Sequence, residues 1–472
     1  MLLRVRFSAI ALAICCAAAA LRLTGLWSDL WLDEIWSLAA TGTFSSIRSV
    51  FTTHHEINHH LYSAWLYLVG QDASVWVYRL PSFLAGVATV FVAGLIGRRR
   101  NDTTALVTML LVTVSYELVL FSSEARGYSI VILCTLLAYY FLSAQNAGRT
   151  EVRSAIGYVI AAITGILAQP IFAGVLAAAC VWSAVRLWRT RTSVVQAATQ
   201  WTMLQALPIA AAITLYVIDW RYVVAGGGTA IQPWFATFAG GFAWALGTPL
   251  GRGPVLITFI VLGVVMLLAG LYQLIADKSD DWIFFLCAIV IFPLVLVLAR
   301  GSEFVYTRHF LPGSALLLVL LGNLLGAGWT RARTTVRLAC AAVLVIFAST
   351  NALNIVQLAK YGRGQHSAAI WYMADHRQGD ALVISGDQDF RILVELSYYI
   401  PRLLGSRPWT YVKASEWPAG GPEWIVVQVE SFQSPVVSGD YTDRTGVRYE
   451  LALDLPTAPL TGLHWVLYQR AR

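Results

Sequence analysis

Eleven long apolar runs constrain this chain more than any other feature. They lie at about 7–27, 77–97, 103–122, 126–145, 154–170, 172–188, 200–218, 254–275, 282–299, 309–328 and 336–354. A helix of roughly 20 apolar residues crosses about 30 Å of hydrocarbon. Inside a bilayer every backbone N–H and C=O needs an internal partner, which leaves helices or closed barrels. The expected fold is therefore a polytopic α-helical membrane protein with about 11 spans. Composition agrees: the 472 residues are 58% hydrophobic and 12% charged, against about 25% charged in soluble domains. The first run, which continues to Trp27, reads as an uncleaved span rather than a signal peptide.

Charge placement sets an orientation. With the N-terminus in the cytoplasm, the arginines at 4, 6, 98–100, 149, 153, 186, 189, 191, 331, 333 and 337 all fall in cytoplasmic loops. The loop around Lys278, with Asp277, Asp280 and Asp281, is the one poor fit. An odd number of spans then places the C-terminus outside, at the plasma (inner) membrane of a cell. The net charge of +7 is spread over short loops and does not point to nucleic acid. Six cysteines all lie inside apolar runs and none forms C-x-x-C, so neither a disulfide framework nor a thiolate metal site is expected.

Two parts of the chain differ from the spans. Residues 28–76 form a long first outer loop rich in Trp, His and acids, too interrupted to span and suited to juxtamembrane helices at the interface. Residues 355–472 read as a small extracytoplasmic α/β domain. Its expected helices are Ser367–Arg377 and Phe390–Ile400, and its strands Ala381–Ser385, Trp424–Glu430, Val447–Asp454 and Leu463–Gln469. Residues 1–354 make the membrane domain. Gln169-Pro170 reads as a turn, since proline cannot continue the helix ladder. Residues 231–250, with Pro233 and Pro249, read as an interfacial or partly re-entrant segment.

The unusual polar residues collect on one predicted side. Asp33, Glu34 and the histidines lie in the first outer loop; Glu124 and Arg126, Asp219 and Arg221, and Glu303, Arg308 and His309 lie at the outer ends of spans. Ionisable groups at membrane depth are costly and mark function. One outward-facing cavity at the lipid surface follows.

His55-Glu56-Ile57-Asn58-His59 matches H-E-x-x-H, in which helical i and i+4 histidines hold zinc and the glutamate is a base. The third ligand of such sites is absent in sequence, because Tyr62 stands where the extended motif has glycine. Five other segments carry a different resemblance. Leu30-Trp31-Leu32-Asp33-Glu34-Ile35-Trp36-Ser37 resembles an L-W-x-D-E-x-x-S box. Asn58-His59-His60-Leu61-Tyr62 resembles [ND]-H-x-x-L-Y, with His60 where proline is usual. Arg79-Leu80-Pro81-Ser82 resembles R-L-P-S, Ser122-Ser123-Glu124-Ala125-Arg126-Gly127-Tyr128 resembles S-x-E-A-R-x-Y, and Arg308-His309-Phe310-Leu311-Pro312 resembles R-Y-x-x-P. In this order and topology they are similar to bacterial GT-C glycosyltransferases of the protein mannosyltransferase and lipid A aminoarabinose transferase type. The resemblance covers about residues 1–360.

It implies a GT-C-like membrane fold and an inverting enzyme. Such an enzyme moves a sugar from a polyprenyl-phosphate donor to an extracytoplasmic glycan, glycolipid or protein acceptor. Asp33 would be the catalytic base, and Glu34, His59, His60, Glu124, Arg126 and Arg308 would bind substrate or the donor phosphate. A divalent metal is left open, with Glu34, Glu56, His55 and His59 as candidate ligands. The alternatives are the zinc peptidase and a lipid or sugar transporter.

Overall fold

The computed structural model describes residues 2–55, 59–146, 152–190, 193–223, 234–249, 253–300, 305–331, 333–418, 420–430, 439–442 and 446–471. Contacts divide the chain into two compact units. The first holds Met1–Leu23 and Thr43–Leu353, the second Thr24–Gly42 and Asn354–Arg472. The first outer loop is therefore not one piece: its opening helix belongs with the C-terminal domain. That assignment differs from the expectation that 28–76 stays whole within the membrane domain. Hydropathy alone does not distinguish a helix lying on lipid from one covering a sheet domain.

The first unit is a helical bundle. Among the described residues eight helices are long and apolar enough to cross a membrane, and three shorter apolar ones lie at Phe7–Leu23, Asp102–Val114 and Val152–Ala168. The chain is a multi-pass membrane protein. Trp234–Ala245 is helical, while 231–233 and 250 of the expected re-entrant region lie outside the described residues.

One expected span breaks. The helix beginning at Asp102 stops at Val114; Ser115 is extended, and a short helix Tyr116–Phe121 follows. Asn351 makes the break affordable. Its Oδ1 accepts the Tyr116 N–H at 2.7 Å, and its Nδ2 donates to the carbonyls of Phe347 (2.8 Å) and Leu246 (3.3 Å). A second interruption is managed in the same way. Pro81 lies inside Val75–Arg98 and cannot donate to the Val77 carbonyl. The Trp65 indole N–H takes that carbonyl instead, at 3.1 Å.

The acidic loop that fitted the charge pattern poorly has a plain explanation. Asp277 pairs with Arg100 at 2.9 Å, Asp280 with Arg189, and Asp281 with Arg186 at 3.4 Å; Asp281 also accepts the Tyr139 hydroxyl at 3.0 Å. Acids and arginines therefore share one end of the bundle. Pairs this exposed contribute about 0–1 kcal/mol each, so they fix arrangement more than stability.

The second unit contains a six-stranded mixed sheet in the order β2-β1-β3-β6-β5-β4. The strands are β1 (Leu382–Gly386), β2 (Trp409–Tyr411), β3 (Trp424–Glu430), β4 (Asp440–Thr442), β5 (Arg448–Leu455) and β6 (Leu463–Arg470). β1 pairs in parallel with β2 and β3, and the remaining neighbours are antiparallel. Helices His366–Asp375 and Asp389–Leu404 complete the domain. The three-residue strands β2 and β4 are too short to show alternation in sequence, and only the sheet reveals them.

Replacing Asn351 with Leu removes the partner of the buried Tyr116 N–H. A loss of about 1–3 kcal/mol is expected, seen as a lower apparent melting temperature in detergent. An unchanged melting temperature would mean that the break needs no cap.

Candidate active site

The site in the first unit grows from the segment before helix His60–Val69. His59 is the residue just outside that helix, extended at φ −99°, ψ 90°. Its ring is buried. The Nδ1 atom accepts the Gly127 N–H at 2.9 Å, and Nε2 lies 3.1 Å from both Arg126 Nη2 and Gln169 Nε2. With Nδ1 committed as an acceptor, a neutral ring carries its proton on Nε2. The Gln169 amide, turned oxygen-inward, accepts that proton, so the Arg126 guanidinium lies beside the ring without a hydrogen bond to it. Glycine is required at 127: a Cβ there would sit 2.0 Å from the Ala168 carbonyl oxygen.

Around His59 four of the five sequence boxes meet. Arg126 is buried, lies over the Tyr128 ring at 5.1 Å and approaches Glu124 Oε1 at 3.8 Å. Ser82 donates to the Arg126 carbonyl at 3.0 Å, and Tyr62 donates to the Tyr78 carbonyl at 2.7 Å. These bonds tie the R-L-P-S and L-Y segments to the E-A-R loop. Arg308 stands on a short 3-10 turn, Thr307–Phe310, with its guanidinium over the Tyr306 ring at 4.3 Å. Tyr306 N–H donates to His309 Nδ1 at 3.2 Å and closes that turn.

The cluster is electropositive. Burial pushes the His59 pKa well below its ordinary value, and Arg126 and Arg308, with His60 and His309 beyond, push the same way. The imidazole is thereby held neutral beside two guanidinium groups. Phe310, two residues past Arg308, borders a small, mostly apolar cleft lined also by Phe238, Gly241, Phe242, Gly313 and Leu317, with Ser314 as a polar member.

His60 belongs to a different network. Asp219, buried at the end of helix Val194–Ile218, lies 2.9 Å from His60 Nε2 and 2.9 Å from His54 Nδ1. The His60 ring stacks on Phe51 and the His54 ring on Tyr222.

Asp33 and Glu34 lie in the second unit, in helix Leu32–Gly42. Glu34 is buried and its Oε2 accepts the Trp31 N–H at 3.2 Å. This is one half of a capping box, which holds a helix start. Asp33 is half-buried, and its backbone carbonyl accepts the Ser37 hydroxyl at 2.7 Å.

The zinc-peptidase geometry fails. H-E-x-x-H needs both histidines on one helical face, but His55 is not helical and His59 is extended ahead of the helix. Glu56 lies outside the described residues, as does Glu303. Among the described residues no group of three or more His, Cys, Asp or Glu is placed to hold a metal ion. The His59 ring is also turned the wrong way for a ligand. Metal-bound histidines donate from their second nitrogen to an acceptor, whereas Nδ1 here accepts the Gly127 N–H and Nε2 faces the Gln169 amide and the Arg126 guanidinium.

No family model matches the sequence, and no curated protein matches it. Solved structures do. ArnT from Cupriavidus metallidurans in the apo state matches at 12% identity and a TM-score of 0.51, over 98% of this chain and 97% of that one. The apo oligosaccharyltransferase of Archaeoglobus fulgidus matches at 11% identity and a TM-score of 0.51, over 85% of this chain and 64% of that one. The same enzyme tethered to an acceptor peptide containing the NVT sequon matches at 11% identity and a TM-score of 0.50, over 85% of this chain and 63% of that one. This chain shares the fold of these two proteins. It spans nearly the whole of ArnT and about two thirds or slightly less of the oligosaccharyltransferase.

Sequence reasoning placed His59, Glu124, Arg126 and Arg308 in one region; the structure sets Arg126 against His59 and within 3.8 Å of Glu124, and both arginines lower the His59 pKa. It passed over Asp219 as a site member, read Gln169 as a turn residue, and gave His54 no role. Asp219 was visible as a carboxylate ending a span; its two histidine partners, 165 and 159 residues away in the chain, were not.

A pH test follows from His59. Unfolded, the ring takes up a proton near pH 6.5; folded, it does so only well below that. The unfolded state therefore binds more protons as pH falls through this range, so stability is full above about 6.5 and declines below it. The apparent melting temperature is expected to fall from pH 7 to pH 5, and to fall less in His59→Gln. Equal slopes would remove His59 from the acid response.

Proposed function

We propose that this protein is an inverting membrane glycosyltransferase that moves a sugar from a polyprenyl-phosphate donor to an extracytoplasmic acceptor. The observation that carries this reading is the pairing of a buried cationic cluster with a small apolar cleft. Arg308 and Arg126 supply charge for a phosphate, and the apolar residues that begin at Phe310 offer surface against which an isoprenoid chain can lie. Few ligands other than a lipid phosphate need both. The fold is consistent with this, since one protein that shares it was captured with an acceptor peptide.

In the proposed reaction Asp33 takes the proton of an acceptor hydroxyl. The oxygen attacks the anomeric carbon from the face opposite the phosphate, the carbon–oxygen bond to phosphate breaks, and configuration inverts. Polyprenyl phosphate leaves with its new charge against Arg308, whose planar guanidinium can grip it bidentately. His59, neutral and clamped by Gly127, packs beside Arg126 without adding another positive charge. The reading takes the N-terminus as cytoplasmic and the C-terminal domain as extracytoplasmic, on the strength of the arginine distribution. Glu34 acts in this scheme by capping the helix of Asp33, and no step passes through a metal.

Mass spectrometry of envelope glycans and lipids from a deletion strain tests the activity, because one missing sugar residue would identify both sugar and acceptor. An unchanged envelope would sink the proposal. In the complemented strain Asp33→Asn is expected to abolish transfer while the protein still folds. Arg308→Ala should lower it by about 10²–10³-fold, the scale seen when one group stabilising developing negative charge is removed. Near-normal transfer in either variant would withdraw that residue's role.

A further inference from the structure

The second unit surrounds the residues that lead into Asp33. Asp29 accepts two hydrogen bonds from Ser367, one from its backbone N–H at 2.7 Å and one from its hydroxyl at 2.7 Å. Ser367 lies in the first turn of helix His366–Asp375, where unpaired N–H groups and the helix dipole favour an anion. The next residue is held as well: the Leu30 carbonyl accepts the Tyr399 hydroxyl at 2.8 Å, and both residues are buried.

A buried polar layer backs this clamp. The Tyr399 ring stacks on His366 at 5.6 Å, and His366 meets the edge of Trp465 at 4.8 Å. Glu395 reaches His366 Nε2 at 3.4 Å with one oxygen, and with the other accepts from Gln428 Nε2 (2.8 Å) and Trp465 Nε1 (3.2 Å). Burial alone would lower the His366 pKa, but Glu395, with help from Asp29 and the Leu30 carbonyl, raises it overall. Further along the helix Trp36 packs edge-on against Phe390 at 5.3 Å. Gly462, at φ +109°, leaves room for Trp31, since a Cβ there would lie 3.1 Å from the indole.

Apolar contact alone would hold helix Leu32–Gly42 against the domain without setting its register. Directional hydrogen bonds at residues 29 and 30 do set it, three to four residues before Asp33. We infer that Asp29 and Tyr399 are positioning residues, and that the C-terminal domain is the frame that aims the Asp33 carboxylate. The inference rests on the reading of Asp33 as the base. A misplacement of about 1 Å in a catalytic group can cost about 10²-fold in rate, so a frame of this kind has a measurable effect.

The test uses the full-length protein in the deletion strain. The rate at which the missing envelope residue reappears after induction is measured per mole of membrane protein. Tyr399→Phe removes one hydroxyl and keeps the stacked ring; Asp29→Ala removes the cap; Asp29→Asn keeps an oxygen that can accept from Ser367. Hydrogen exchange across 30–38 is read in parallel. Tyr399→Phe and Asp29→Ala are expected to slow transfer about 10- to 100-fold and to speed exchange in that segment. Asp29→Asn should recover most of the rate, and Tyr399→Phe should add nothing to the loss in Asp33→Asn. If Asp33→Asn is inactive while Tyr399→Phe and Asp29→Ala transfer at the normal rate, the inference is overturned and the base reading stands. It is equally overturned if Asp29→Asn is as slow as Asp29→Ala, since the oxygen would then have no positioning value. If Asp33→Asn itself transfers normally, the base reading has failed, and the positioning inference falls with it.

Discussion

A polypeptide in hydrocarbon has no water to satisfy a freed backbone group, and this constraint shapes the whole helical unit. Every interruption of a helix must bring its own partner. The Asp102–Val114 helix can stop because the Asn351 side chain waits for the Tyr116 N–H. The helix through Pro81 persists because the Trp65 indole takes the carbonyl that proline leaves unpaired. These two repairs lie beside the loops that build the site. The first frees residues 116–127 to fold back as a short helix and a turn, which carries Glu124, Arg126 and Gly127.

Electrostatics then determines what that turn can do. Arg126 and Glu124 are both buried and lie close enough to compensate each other in part. Burying a charge without a partner is costly, so the pair is a condition for keeping Arg126 there at all. His59 is held neutral, which avoids a third buried positive charge beside Arg126 and Arg308. Arg308 is half-buried at the edge of a small apolar cleft. A phosphate on a lipid chain matches that combination of charge and surface. The second histidine network, around Asp219, fastens the chain at residues 54 and 60 to the end of a distant helix. His59 lies between those two anchors in sequence, so its position is constrained from both sides.

The C-terminal domain has a role that its own sequence does not advertise. It carries no catalytic motif, and its sheet is an ordinary mixed one. Its contribution is to receive Thr24–Gly42 as part of its own compact unit. The proposed base is thereby supported by residues more than 330 positions away in the chain, such as Ser367 bound to Asp29.

Much was legible in the sequence alone. Hydropathy marked the spans because a bilayer demands long apolar helices, and arginine placement marked one end of the bundle. The five boxes pointed to His59, Glu124, Arg126 and Arg308, because charged or polar side chains at span ends have few structural reasons to be there. Local pattern also marked the strands β1, β3, β5 and β6, whose length allows alternation to show. Only the tertiary structure decided the rest. It decided that His55 and His59 share no helical face, that Glu34 is occupied in capping, and that Asp219 gathers two histidines. It also decided that Asp33 belongs with the C-terminal domain. The physical reason is common to all four: each depends on which way a side chain turns or on which distant segment meets it, and neither is encoded in the periodicity or composition of a local stretch.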